Sequence, residues 1–134
     1  MAELSTYAEN AIVNWLRGAT TMPAETAAYV ALFTADGGLE AGTMDNEVPN
    51  ANAYARTAAA IGVAADGVGT NAAAITFPAA SGGNWGTITH AALVDDNTWG
   101  GGNVIMHSAL AVNVTVNDGD TFQINATKLT VTIT

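Results

Sequence analysis

The spacing of apolar residues near the N-terminus predicts one helix. Apolar side chains recur every three or four residues from Leu4 to Leu16, which is close to the helical period of 3.6. Either Ser5 or Thr6 can serve as the N-cap, and Gly18 is a natural end for the helix. Because the apolar stripe is narrow and rich in alanine, we expect segment 1–18 to dock on its own domain or on a partner subunit.

Beyond the helix the apolar period changes to two, which is typical of β-strands. Residues 28–34 are apolar on both faces, and this predicts a strand that is covered on both sides. Near the C-terminus, Leu129, Val131 and Ile133 alternate with threonines, which predicts a half-buried strand. The other predicted strands, separated by turn signals, are 54–63, 72–77, 87–94, 104–110, 112–116 and 122–124.

One helix followed by seven or eight strands favours a mainly β fold. The expected architecture is an antiparallel β-sandwich, jelly-roll-like, with one N-terminal helix. A length of 134 residues suits a single domain. We therefore expect the helix at 1–18 and the β-sandwich domain at 28–134.

The charge balance restricts the partners that this chain can bind. Twelve acidic residues face three basic ones, which gives a net charge of −9. Binding to nucleic acid needs clustered cations and is excluded, and anionic membranes are disfavoured for the same reason. No apolar run reaches the roughly 18 residues that span a bilayer, and no signal peptide is evident, so we expect no membrane insertion. Without cysteine, disulfides and thiolate chemistry are excluded.

Residues that carry catalytic or metal chemistry form no specific motif in this sequence. His90 and His107 are the only imidazoles, and both fall on predicted strands that are expected to be neighbours. A metal site would need them to converge with carboxylates such as Asp95 and Asp96, and the spacing fixes no ligand set. We therefore expect no enzymatic activity, no cofactor and no bound metal.

A long acidic loop at residues 35–53 is the first candidate contact region. Loops of this length are uncommon in compact domains and often have a function. The spacing of the acidic residues in this loop matches no calcium-binding pattern. We therefore expect solvated turns, with weak cation binding as the alternative. Arg56 follows the loop directly, and the excess of carboxylates predicts an ion pair between them. The candidate acidic contacts are Asp36, Glu40, Asp45 and Glu47.

The tryptophans are the remaining candidate contacts. Trp85 and Trp99 lie in loops rich in glycine and asparagine, where we expect each ring to fold back as a lid over the end of the sandwich. The alternative is an exposed ring that stacks on a sugar or anchors a protein contact. Trp15 lies on the predicted helix, where it packs against the domain or contacts a partner.

Several segments of the chain stand in a recognisable order. They are ENAIVNWLRG, YVALFTAD, YAR, ITFPAA, WGTITHAALVDD, GGNVIMHSAL, VNDGDTFQI and LTVTIT. In this order the chain resembles, over residues 9–134, a family of small virion proteins of tailed bacteriophages that are often labelled tail-fibre or structural proteins. Residues 37–53 and 58–70 depart from the family pattern, so loop contacts of relatives do not carry over to them.

This resemblance implies a β-sandwich, a homotrimer, no enzymatic activity and a place in the virion after assembly in the host cytoplasm. Because the chain has no coiled-coil or repetitive stalk, the first expectation is an accessory on the particle exterior that decorates or cements the capsid. The alternative is a tail-fibre or receptor-binding module that contacts a host surface glycan. The expected partners are thus copies of itself, phage capsid or tail proteins and, in the alternative, a glycan.

Overall fold

A computed structural model describes residues 2–21 and 27–133. Met1 and Thr134, which belong to the predicted segments 1–18 and 28–134, lie outside the described residues. The described elements are strand β1 (Glu3–Leu4), helix α1 (Thr6–Leu16), strand β2 (Tyr29–Phe33), a 3-10 helix (Leu39–Ala41), and strands β3 (Thr57–Ala58), β4 (Val68–Thr70), β5 (Ile75–Thr76), β6 (Gly86–Val94), β7 (Val104–Val116), β8 (Gln123–Ile124) and β9 (Thr130–Thr132).

The strands form one large and two small antiparallel sheets. The large sheet has five strands in the order β1-β7-β6-β2-β3, and the pairs β4–β9 and β5–β8 form the small sheets. The expectation of a mainly β fold with one N-terminal helix is therefore confirmed. The small sheets do not join into one continuous sheet, and each is a single pair of short strands.

The main core brings side chains of the large sheet together with those of the small sheets and of the loops between them. Val30 and Leu32 contribute from β2, and Phe77 and Phe122 come from the region of β5 and β8. The rings of Phe77 and Phe122 meet edge to face at a centroid distance of 5.5 Å. Apolar side chains, Leu129 among them, line a cavity of about 310 Å³ beside this core.

The opposite face of the large sheet carries a second, smaller core. Ala31 and Phe33 of β2 point to this face and pack with Leu39 of the 3-10 helix. The acidic loop therefore covers this face of the sheet with an apolar residue. The prediction that β2 is buried on both faces is confirmed, because Val30 to Phe33 are all at most 1% exposed.

Helix α1 begins with a side-chain cap. The Ser5 hydroxyl accepts a hydrogen bond from the backbone N–H of Ala8 at 3.3 Å and donates one to the carbonyl of Val104 on β7. Of the two predicted caps, Ser5 is thus the one observed, and it fastens the helix to the large sheet. The helix ends at Leu16, and Ala8 is its only buried residue.

Strand β7 differs from the prediction, which divided it into 104–110 and 112–116. The pairing partners shift from His90–Ala109 to Ile88–Val114, so five residue steps along β7 face only two along β6. The extra residues bulge out of the strand instead of ending it. Because β1 pairs only with residues 106–107, the described residues place no strand against the outer edge of β7 at 108–116.

Candidate interaction surfaces

The acidic loop is fixed by a buried ion pair. Arg56 Nε lies 2.7 Å from Glu47 Oε1, and Arg56 Nη2 lies 2.8 Å from Glu47 Oε2. Both side chains are fully buried. The prediction that Arg56 pairs with the loop before it is confirmed, and the two parallel hydrogen bonds set the direction of both side chains.

Further hydrogen bonds extend this pair to a second loop at residues 95–102. Arg56 Nη1 donates to the carbonyls of Asp96 at 2.7 Å and Gly101 at 2.9 Å. The Tyr54 hydroxyl donates to Glu47 Oε1 at 2.9 Å. Burial, together with the nearby Glu47 charge, strongly raises the pKa of Tyr54, so its phenol stays protonated as the donor. One guanidinium therefore holds the acidic loop and the loop at 95–102 together.

The two loop tryptophans, Trp85 and Trp99, occupy different environments. Trp85 is only 3% exposed and its indole N–H donates to the carbonyl of Asn52 at 2.9 Å. Trp85 thus folds back, as expected, and its ring packs edge to face against Tyr54 in the main core, so the alternative of an exposed contact ring fails for this residue. Trp99 is 45% exposed, and its indole N–H donates to the carbonyl of Val48 at 2.8 Å. Trp99 thus keeps an open ring surface on an anchored side chain.

The four acidic candidates do not form one patch. Asp36 accepts hydrogen bonds from the backbone N–H groups of Leu39 and Gly38, which lower the pKa of its carboxyl. Its carboxylate therefore holds the backbone where the 3-10 helix begins, while Gly38 is the N-cap residue. Asp45 is exposed, whereas the carboxylate of Glu47 is buried in the ion pair. Glu40 differs from these three residues, because its side chain is directed towards β7.

Glu40 meets a histidine that sequence reasoning did not connect with it. His107 Nε2 lies 3.0 Å from Glu40 Oε2, and the Thr6 hydroxyl donates to Glu40 Oε1 at 3.0 Å. Both hydrogen bonds lower the pKa of the Glu40 carboxyl, and the one with His107 has the larger effect. Glu3 completes the group, since one ligand atom from each of Glu3, Glu40 and His107 lies within 4.8 Å of the others. Residues so far apart in the chain carry no common sequence signal.

The metal arrangement considered from sequence is not the one that the structure brings together. His90 and His107 do lie on the neighbouring strands β6 and β7. However, His90 Nδ1 lies 2.8 Å from the Thr89 hydroxyl, and Asp95 and Asp96 accept hydrogen bonds within their own loop, from Asn103 and Thr98. The two aspartates thus shape that loop.

Helix α1 presents apolar side chains to solvent, and we call them the helix patch. Its members are exposed by 41% to 70% and are Tyr7, Val13, Trp15 and Leu16. The helix contacts β1, β7 and the 3-10 helix without covering these residues. Of these residues, Val13 and Leu16 are three positions apart and so are neighbours on the helix surface. Among the described residues, no helix has the length and apolar character needed to cross a membrane.

Comparison with known families supplies an independent line of information. A family model described as Podophage GP4 fiber I protein gp80 matches residues 3–132. The match includes α1 and every described strand, and it confirms the resemblance to phage virion proteins that the sequence segments carry. No curated protein matches the sequence.

Proposed function

Because this chain belongs to the Podophage GP4 fiber I protein gp80 family, and so is a structural component of a phage virion, we propose that it is a non-enzymatic subunit of a fibre-type accessory on the particle exterior. The helix patch attaches it to its neighbours. The observation that carries this proposal is the exposure of Val13 by 59% and Leu16 by 70% on a helix that is itself capped and fixed to the large sheet.

Removing apolar bulk from the helix patch tests this attachment. The variant V13A/L16A keeps good helix-forming residues and takes no side chain out of the core. We expect its melting temperature to match the wild type, while its incorporation into particles, measured by quantitative mass spectrometry, falls at least tenfold. The matched control is Val63→Ala, since Val63 is also apolar and is 100% exposed. Equal incorporation of all three proteins would contradict the proposal.

Two positions on the particle are candidates for this protein, the tail and the capsid. The word fiber in the family description supports a tail-fibre position. Capsid decoration is the second candidate, because the described residues form a compact fold without an extended stalk. The chain has no cysteine, so Val63→Cys creates a single thiol for a gold label. We expect electron microscopy of labelled particles to show gold at the tail, and gold spread over the capsid would favour decoration instead.

A receptor-binding role within the fibre is supported by Trp99. Its ring is 45% exposed and its N–H is held by Val48, so the ring face is available for stacking on a sugar. We expect the recombinant protein to bind host surface glycan and Trp99→Ala to lose that binding, while V13A/L16A retains it. Unchanged binding by Trp99→Ala would exclude this ring as the contact.

Self-association is part of the same proposal, with a homotrimer as the expected state. Val112 is 77% exposed and Val114 is 40% exposed, both beside the outer edge of β7. Apolar side chains at this position support a contact between copies. Native mass spectrometry of the purified protein should show complexes of three chains, and a persistent monomer would contradict the trimer.

A further inference from the structure

Three side chains from distant parts of the chain converge on one face of the large sheet. Glu3 on β1 lies directly opposite His107 on β7 in the strand pairing, so the two side chains point to the same face. The 3-10 helix carries Glu40 over this face, and the ligand-capable atoms of all three residues lie within 4.8 Å of one another. His107 is only 8% exposed, so its orientation is fixed by its surroundings.

The spacing of His107 Nε2 and Glu40 Oε2 suits one small metal ion, and the exposed Glu3 has to move closer to join them. Bonds from zinc to nitrogen and oxygen are about 2.0–2.2 Å, which places two ligand atoms of a tetrahedral site roughly 3.3 Å apart. His107 Nε2 and Glu40 Oε2 are 3.0 Å apart, so the pair needs to open by only a few tenths of an ångström. An open cavity of about 460 Å³ beside Glu3 and Glu40 leaves room for water in the remaining position.

The charges of the cluster also favour a dication. A protonated imidazole can compensate only one of the two carboxylates. The chain has only three lysines and arginines, and Arg56 is already committed to Glu47. One nitrogen and two carboxylate oxygens form a donor set that suits first-row transition metals, whereas calcium and magnesium prefer oxygen alone.

We propose that Glu3, Glu40 and His107 bind one divalent first-row transition metal ion of the zinc type, with water completing the coordination. Metal binding displaces the proton through which Nε2 of His107 is hydrogen-bonded to Glu40. This proton is released to water, or moves through water to Nδ1 when the ring is neutral, and the freed Nε2 lone pair binds the metal. The ion connects β1 and the 3-10 helix to β7. It therefore fixes the segment that leads into α1, and this holds whatever the position of the protein on the particle.

Calorimetric titration with zinc chloride tests the site in the full-length, tag-free protein after treatment with EDTA. We expect one saturable site in the wild type and an affinity at least tenfold lower in both Glu3→Gln and His107→Gln. His90→Gln and Asp45→Asn are matched controls, because they remove the other imidazole and an exposed carboxylate outside the cluster. Both controls should bind as the wild type does.

A thermal melt with and without zinc keeps the test independent of folding defects. Glu3 is exposed, so Glu3→Gln should melt like the metal-free wild type and should lose the zinc-dependent rise in melting temperature. Absence of saturable binding in the wild type would overturn the proposal, as would unchanged binding in Glu3→Gln and His107→Gln. Calcium binding as tight as that of zinc would also overturn it, since it would indicate general attraction to a chain of charge −9.

Discussion

Replacing Arg56 by methionine would leave the Glu47 carboxylate buried without its cation. Methionine fills a similar volume but supplies none of the donors that Arg56 gives to Glu47, Asp96 and Gly101. Loss of one partner from a buried ion pair costs about 3–5 kcal/mol, because the remaining charge is uncompensated. The Glu47–Arg56 pair meets this condition fully, since both side chains have no exposure.

The corresponding loss of thermal stability is large. With an unfolding entropy of about 2.1 cal/mol/K per residue, 134 residues give about 0.28 kcal/mol/K, so Arg56→Met should lower the melting temperature by about 11–18 °C. Calorimetry and urea unfolding measure this directly. The companion variant E47Q/R56M removes the charge as well and keeps an oxygen that can accept from Tyr54.

We expect this double variant to be more stable than Arg56→Met alone, although less stable than the wild type. That order separates the cost of an unpaired charge from the cost of lost packing. A loss below about 1 kcal/mol in Arg56→Met would refute the reasoning, because it would place the pair in the range of solvent-exposed ion pairs. A double variant that is less stable than Arg56→Met would refute it as well.

Three further predictions concern single residues. Gly102→Ala should lower the free energy of unfolding by more than about 1 kcal/mol, because φ is +73° and a Cβ there would lie 2.5 Å from Asp95 Oδ1. Urea unfolding should show a larger loss for this variant than for Gly100→Ala, because nothing lies within 4 Å of a Cβ at Gly100. Asn71→Ala should cost about 2–4 kcal/mol in the same assay, because the fully buried amide of Asn71 serves three backbone groups that would lose their partner. The pKa of Asp36 is lowered in the folded state, so its stabilisation is present above the unfolded pKa and is lost as the pH falls through the folded pKa. Asp36→Asn should therefore show a smaller fall in the urea midpoint between pH 5 and pH 2 than the wild type, and an identical fall would contradict this assignment.

The fold was predictable where the pattern of apolar residues is long and regular. The prediction failed where other contacts control the backbone. Strand β2 and the C-terminal strand follow directly from their apolar periods. The predicted strand at 54–63 is reduced to Thr57–Ala58, because Arg56 is drawn towards Glu47 and Ala60 has a φ of +48° that no strand accommodates. Strands of two or three residues, such as β5 and β8, are too short for periodicity to reveal their partners.

The candidate contacts were predictable only in part, for a physical reason. Scarcity of cations made the pairing of Arg56 with the acidic loop predictable. A loop composition rich in glycine and asparagine indicates a turn, but it does not tell whether a ring such as Trp85 points outward or into the core. The group of Glu3, Glu40 and His107 depends on a strand pairing and a 3-10 helix that bring distant residues together.

The bulge in β7 has a consequence for how copies of this protein add to one another. A flat, unpaired strand edge invites the same edge of the next chain, and repeated addition produces fibrils without a fixed end. In β7 the register breaks between Ala109 and Val114, so an incoming strand would find no continuous ladder to extend. Growth by backbone pairing is disfavoured there, so a contact between copies at this edge would depend on the fit of side chains.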